Sequence, residues 1–207
     1  VLALVLWFVS QSFLAHRPAP GGRVNDTVHA LTAPLHQSLL DHPAAANAVL
    51  IVSSAFIDVF GLFLLATAIF GTTMRPFLGL ILLFTLRQVF QFFIPLPPPE
   101  GMIWRYPGFP SLFVTYGTAN DFFFSGHTAI AIYASAELVR LQRHPLAVVG
   151  FGVALLEAAT VIVLRAHYTM DVVAGAATAL LVALLVPRLA VPCDRALEKL
   201  CSHARTN

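Results

Sequence analysis

The chain has 207 residues, 58% of them apolar and 11% charged, and a formal net charge of +2. Ordinary soluble domains carry about 25% charged residues, so this composition excludes one and points to a membrane protein. Lys199 is the single lysine, and no basic run of the kind that binds nucleic acid is present.

A helix that crosses a bilayer needs ~20 mostly apolar residues, and the apolar residues here fall into long runs. The chain opens on Val1 rather than a methionine, so a trimmed N-terminus is expected. Residues 1–14 read as the end of a first span or as the core of a signal peptide; His16, Arg17 and Pro18 resemble a membrane exit and favour the span. Five further runs follow at 46–70, 76–94, 125–139, 146–164 and 170–191. The fourth of the six is short, which suits a helix whose start is sunk in a cavity and does not face lipid. The expected fold is all-α, a polytopic membrane bundle of about six transmembrane helices forming one domain over 1–207.

Two connecting segments carry signals of their own. Between 17 and 43, Val24, Val28 and Leu31 recur at helical spacing before Pro34, with Asn25 and Asp26 as cap candidates. This predicts a short interfacial helix, a lid or a membrane rest. Its histidines, His29, His36 and His42, lack ligand spacing and acidic partners, so they are expected to be solvated, with no metal and no cofactor. Between 95 and 120, four prolines end at Pro99 and forbid regular structure, and Trp104, Tyr106 and Tyr116 suit the headgroup level.

Basic residues accumulate on the cytoplasmic side of membrane proteins. Arg75, Arg140, Arg143, Arg188, Arg195, Lys199 and Arg205 fall on one side of the predicted spans, against Arg17, Arg23 and Arg105 on the other. Both termini are therefore expected in the cytoplasm. Cys193 and Cys201 then sit on a reducing side as free thiols.

The chemistry concentrates in two strings, DFFFSGHT from Asp121 to Thr128 and RAHYTMD from Arg165 to Asp171, both assigned to the outer or lumenal face. His167 and Asp171 are four apart, on one helical face. An aspartate accepting from one ring nitrogen fixes the tautomer and leaves the other nitrogen as a nucleophile. His127 suits general acid and base work. The small Ser125 and Gly126 allow helix-start amides to approach a phosphate.

Arg165 and Arg87 supply charge for phosphate oxygens, and Arg87 is notable because an arginine inside a span costs ~2.5–3.5 kcal/mol on insertion scales. Tyr168 joins the candidate substrate contacts. The bland alternative, histidines that merely bond neighbouring helices, suits a lone residue better than this constellation on one face. Asp58, Glu137 and Glu157 lie within predicted spans and are expected mainly in structural pairs.

The two strings resemble the catalytic motifs of sphingomyelin synthase and related lipid phosphotransferases, within the type 2 phosphatidic acid phosphatase superfamily. The resemblance covers the last four helices well and the N-terminal third in layout; Arg87 ahead of Pro95 and Pro97 matches an arginine helix leading into a proline-containing loop. It implies His167 as nucleophile, Asp171 as its orienting partner and His127 as the second catalytic histidine. Asp121 stands where the synthases carry an aspartate. The phosphatase branch has a lysine, six residues and Arg-Pro in its first motif, whereas Ala68 precedes Arg75 and Pro76 here.

That departure tilts the expectation from hydrolysis to head-group transfer. The partners are a phospholipid donor of the phosphocholine or phosphoethanolamine type, a lipid-alcohol acceptor such as diacylglycerol or ceramide, and the bilayer. With water as acceptor the same residues make a lipid phosphate phosphatase or a phospholipase C-like hydrolase. A non-catalytic lipid-binding or transport protein is the alternative of another class, although the repeated halves of transporters are not visible.

Overall fold

The computed structural model describes residues 24–116 and 122–206, with positions 5, 9, 12 and 22. Among them the chain forms seven helices and no strand: α1 (Thr27–Leu31), α2 (Ala33–Asp41), α3 (Pro43–Phe70), α4 (Arg75–Phe93), α5 (Gly126–Arg140), α6 (His144–Val163) and α7 (Thr169–Thr206). The all-α expectation holds. Four helices, α3, α4, α6 and α7, are long and apolar enough to cross a membrane. The expected first span at 1–14 falls almost wholly outside the described residues.

The helix starts follow from local chemistry. Proline stands in the first turn of α2, α3, α4 and α6, where its missing N–H leaves no bond unmade. α5 starts instead at Ser125, whose hydroxyl accepts from the Thr128 amide at 3.4 Å. The ends of α5 and α6 share another device. Gln142 and Arg165 adopt left-handed φ values of 58° and 53°. The next amides turn back onto Leu138 and Val161, in the pattern that closes a helix on its orphan carbonyls.

α5 is the axis of the bundle. It packs against α3, α4, α6 and α7, and Ala129, Ala131, Tyr133, Ala134 and Ser135 are completely buried. At 15 residues it is about 22 Å long, short of a ~30 Å hydrocarbon core, yet its neighbours screen it from lipid. Close approach depends on two glycines. A Cβ on Gly79 of α4 would run into the Tyr133 hydroxyl, and one on Gly150 of α6 into the Ser135 side chain. The outer surface is apolar, with Val59, Ile69, Val148, Leu155 and Leu184 all exposed.

The end of the bundle where α4 starts and α5 finishes is held by charge. Arg75 grips Glu137 through Nε at 3.0 Å and Nη2 at 2.9 Å, and Arg140 adds a contact at 3.6 Å. Asp194 on α7 accepts from the Met74 amide and the Thr73 hydroxyl, both at 2.7 Å. Glu137 is thus structurally paired, as expected. Arg75 lies twelve residues before Arg87, at the opposite end of α4 from the motif strings.

The short N-terminal helices depart from expectation. Asp26 does cap α1, accepting from Val28 at 2.9 Å. His29 and His36, however, are 8% and 3% exposed, not solvated. α1 and α2 lie on the end of α6 and its turn into α7, where His36 Nδ1–H donates to the Val163 carbonyl at 2.8 Å. His42 alone of the three is exposed, bonded to Ser38 of its own helix.

Gly79→Ala should lower stability by about 1–3 kcal/mol, because the added methyl forces α4 away from the fully buried Tyr133. Gly152→Ala, with open space around its Cβ, should instead be neutral or gain up to ~1 kcal/mol. Thermal unfolding in detergent compares the two; equal losses would show that the α4–α5 approach is not tight.

Candidate active site

The two motif strings meet through backbone. The Ser125 amide donates to the Asp171 carbonyl at 3.0 Å, and the His167 ring Nδ1–H donates to the Phe122 carbonyl at 2.7 Å. Phe124 makes this possible by adopting φ 82° while completely buried. A left-handed phenylalanine is costly and persists only where its surroundings over-determine it.

The tautomer of His167 is therefore set by a carbonyl. Asp171 was expected to accept that ring proton; its Oδ2 stands 3.6 Å from Nδ1 and instead accepts the Tyr168 amide at 2.8 Å. The reason is position. Asp171 is the third residue of α7, the place from which an acidic side chain reaches back to the residue before the helix. With Nδ1 committed, the lone pair of neutral His167 lies on Nε2.

His127 and His167 line one cavity of about 60 Å³ with Arg87, Gly126, Phe122 and Trp104. That space admits a few water-sized groups, the scale of a phosphoryl group and not of a whole lipid. Arg87 is its permanent cation, and a Cβ on Gly126 would be 3.7 Å from Arg87 Nε, so the guanidinium lies beside the start of α5. First-turn amides of a helix lack partners within it, and with the helix dipole they favour an anion. Trp104, expected at headgroup level, meets the His127 ring edge-on at 5.3 Å. It is steadied by a bond from Nε1–H to Thr115 and by Tyr116 at 4.9 Å.

Other candidates are placed elsewhere. Ser125 is buried as the cap of α5, with its amide spent on Asp171. Tyr168 donates to the Pro97 carbonyl at 3.1 Å and stacks on His29 at 5.5 Å. Arg165 takes the left-handed turn that ends α6, and its Nη1–H donates to the Glu100 carbonyl at 2.9 Å. None of these three forms part of the cavity wall. Asp121 lies outside the described residues. Asp58 anchors the 111–113 loop, accepting from Ser111, Leu112 and Phe113. Among the described residues no cluster could hold a metal ion.

Two positioning residues came from outside the motifs. Tyr168 has no side-chain oxygen near enough to cap α7, and Asp26 performs that task from α1. It accepts from the Thr169 amide at 2.6 Å and hydroxyl at 2.8 Å while capping its own helix. His29, three residues on, donates from Nε2–H to the carbonyl of His167 at 2.9 Å. The histidine that carries the site is thus held through its ring, by Phe122, and through its backbone, by α1. The cap signal at Asp26 was visible in sequence; its second partner was not.

Burial alone would raise the Asp26 carboxyl, but its bonds from Thr169 and Val28, with His29 nearby, hold it below its ordinary 3.8. The folded protein therefore binds this proton less readily than the unfolded chain. The resulting stabilisation is complete above the ordinary value and fades as pH falls through the depressed one. Asp26→Ala should cost about 0.5–2 kcal/mol for each cap lost and speed amide exchange at residues 168–171. Exchange mass spectrometry checks this, and unchanged protection of that turn would disprove the bridge.

Residues 25–188 match the family model described as AtPDCT1/2. Similar curated proteins are the phosphatidylcholine:diacylglycerol cholinephosphotransferases 1 and 2 of Arabidopsis thaliana. The first is 26% identical over 157 residues, 75% of this chain and 50% of that protein. The second is 29% identical over 108 residues, 52% of this chain and 35% of that protein. The chain thus spans half or less of the length of these relatives. No solved structure matches. With four-fifths of its length inside the matched region, from the α1 cap through the first half of α7, the chain belongs to the AtPDCT1/2 family.

Proposed function

We propose that this protein is a membrane-embedded phosphotransferase that moves phosphocholine from phosphatidylcholine to the hydroxyl of diacylglycerol, through a phosphohistidine at His167. The observation that carries the reading is the committed Nδ1 of His167 in a cavity shared with His127 and Arg87. The choice of phosphocholine and diacylglycerol over phosphoethanolamine and ceramide follows the names of the similar proteins. The wider kinship with sphingomyelin synthases and type 2 phosphatases rests on the motif strings alone.

The chemistry runs in two displacements. His167 Nε2 attacks phosphorus, the bond from phosphorus to the glycerol oxygen breaks, and His127 gives its proton to the departing diacylglycerol. Arg87 and the α5 amides stabilise the charge on the phosphoryl oxygens, and Asp171 favours the positive ring. A second diacylglycerol then gives its hydroxyl proton to His127 and attacks phosphorus, freeing His167. One phosphodiester is consumed and one formed, so no energy source or cofactor is needed.

In this reading α5 and the N-terminal run complete six spans in one domain. The basic end and both termini are cytoplasmic, and the cavity opens towards the outer or lumenal face. Arg165 supports the substrate from outside the cavity wall, and Asp121 keeps the substrate contact that the motif resemblance implies.

Purified protein with choline-labelled phosphatidylcholine should form labelled phosphatidylcholine anew when a distinguishable diacylglycerol is supplied. Release of free phosphocholine at the same rate without diacylglycerol would overturn the transferase reading in favour of a hydrolase. His167→Ala should abolish turnover and the acid-labile label on protein. His127→Ala should lower turnover roughly 10²–10⁴-fold, the range of general acid–base catalysis. Asp171→Asn should fall less than His167→Ala, because the Phe122 carbonyl still holds the ring.

A further inference from the structure

On the outer surface of the bundle α3 and α6 enclose a second cleft, of about 230 Å³, walled by Val49, Val52 and Ser53 on one side and Leu156, Glu157 and Thr160 on the other. Glu157 is completely buried. The Ser53 hydroxyl donates to its Oε2 at 2.6 Å, whereas its Oε1 has no hydrogen-bond partner among the described residues. At the rim Val52 is 50% and Leu156 49% exposed, so in a bilayer the cleft opens to lipid. The catalytic cavity does not use it.

Depth and charge select the ligand. Ser53 lies ten residues into α3, about 15 Å from its start at 1.5 Å per residue, inside the hydrocarbon region. A carboxyl oxygen without a partner is costly there, and intramembrane carboxyls mark functional sites by default. A group that relieves it in either protonation state must both donate and accept a hydrogen bond, enter from lipid and carry no net or zwitterionic charge. A phosphocholine head group has no donor and cannot shed its charges; a triacylglycerol has no donor either. A diacylglycerol has one free hydroxyl on an apolar body.

We infer that the α3–α6 cleft binds a neutral lipid alcohol of the diacylglycerol type, whose free hydroxyl donates to Glu157 Oε1. Its back wall leads to the catalytic cavity. Ser54, next to Ser53, bonds the Tyr116 hydroxyl at 2.5 Å, Tyr116 packs on Trp104, and Trp104 meets His127. The cleft therefore holds acceptor lipid behind the Ser54, Tyr116 and Trp104 side chains that lead to His127, a role that rests on the transferase reading, whereas binding itself does not.

The test uses a diacylglycerol with a photoactivatable diazirine near its glycerol end, in vesicles of phosphatidylcholine containing the full chain. Adducts mapped by peptide mass spectrometry should fall around Val52 and Leu156, and unlabelled diacylglycerol should compete where triacylglycerol does not. Glu157→Leu, which removes the acceptor, should cut labelling roughly five- to tenfold, the loss of one hydrogen bond. Val52→Trp, which fills the cleft, should do the same and raise the KM for diacylglycerol while leaving phosphohistidine formation from phosphatidylcholine unchanged. Equal competition by triacylglycerol, or labelling that neither variant alters, would overturn the inference. Labelling as expected in a protein without transferase activity would leave the site standing and remove the function proposed above. Transferase activity with no adducts in the cleft would do the reverse.

Discussion

Phe122 and Ser125 face His167 and Asp171 across two hydrogen bonds, and the arrangement of the whole upper end of the bundle depends on this join. It ties the start of α5 to the start of α7, elements whose motif strings are some forty residues apart in sequence. Because the Phe122 carbonyl takes the proton on Nδ1, the lone pair of the neutral ring is assigned to Nε2 by a group that carries no charge and cannot titrate. The left-handed Phe124 is the local cost of turning the chain sharply enough to make the join.

Around that join the molecule spends its polar groups on placing His167. α1 contributes Asp26 to the α7 amides and His29 to the His167 carbonyl; α2 contributes His36 to the last turn of α6. Burial, together with the nearby Arg165 and His29, pushes His36 down despite its bond to Val163, which suits a group wedged against backbone. The N-terminal helices thus act as a clamp on the turn between α6 and α7, not as a loose lid. At the other end, Arg75, Glu137 and Arg140 form a separate ionic lock, so α4 holds one arginine for architecture and one for the cavity.

The placement of α5 reconciles two demands. The candidate site brings helix-start amides, an arginine and imidazoles together, groups that lipid will not tolerate. A short helix sheathed by longer ones sinks those groups below the bundle's end while the longer helices present apolar surface outside. The same sheath buries Glu157 and Ser53 between α3 and α6, away from the cavity that His127 and His167 line.

The sequence by itself determined the class and which residues gather as the candidate site. Long apolar runs impose helices in a bilayer, since unpaired backbone is not tolerated there, and the two strings put His127, His167 and Asp171 at helix starts by spacing alone. Asp26 was legible as a cap because capping is a local rule. What only the tertiary structure decided were the second partners: the Phe122 carbonyl in place of Asp171 on the ring, Asp26 on Thr169, Trp104 on His127, and the burial of His29 and His36. Arg165 and Ser125 shared strings with His167 and His127 and were still directed elsewhere. Each of these depends on which surfaces meet across tens of residues, and a periodic pattern shows that a helix buries one face without naming the group that will lie against it.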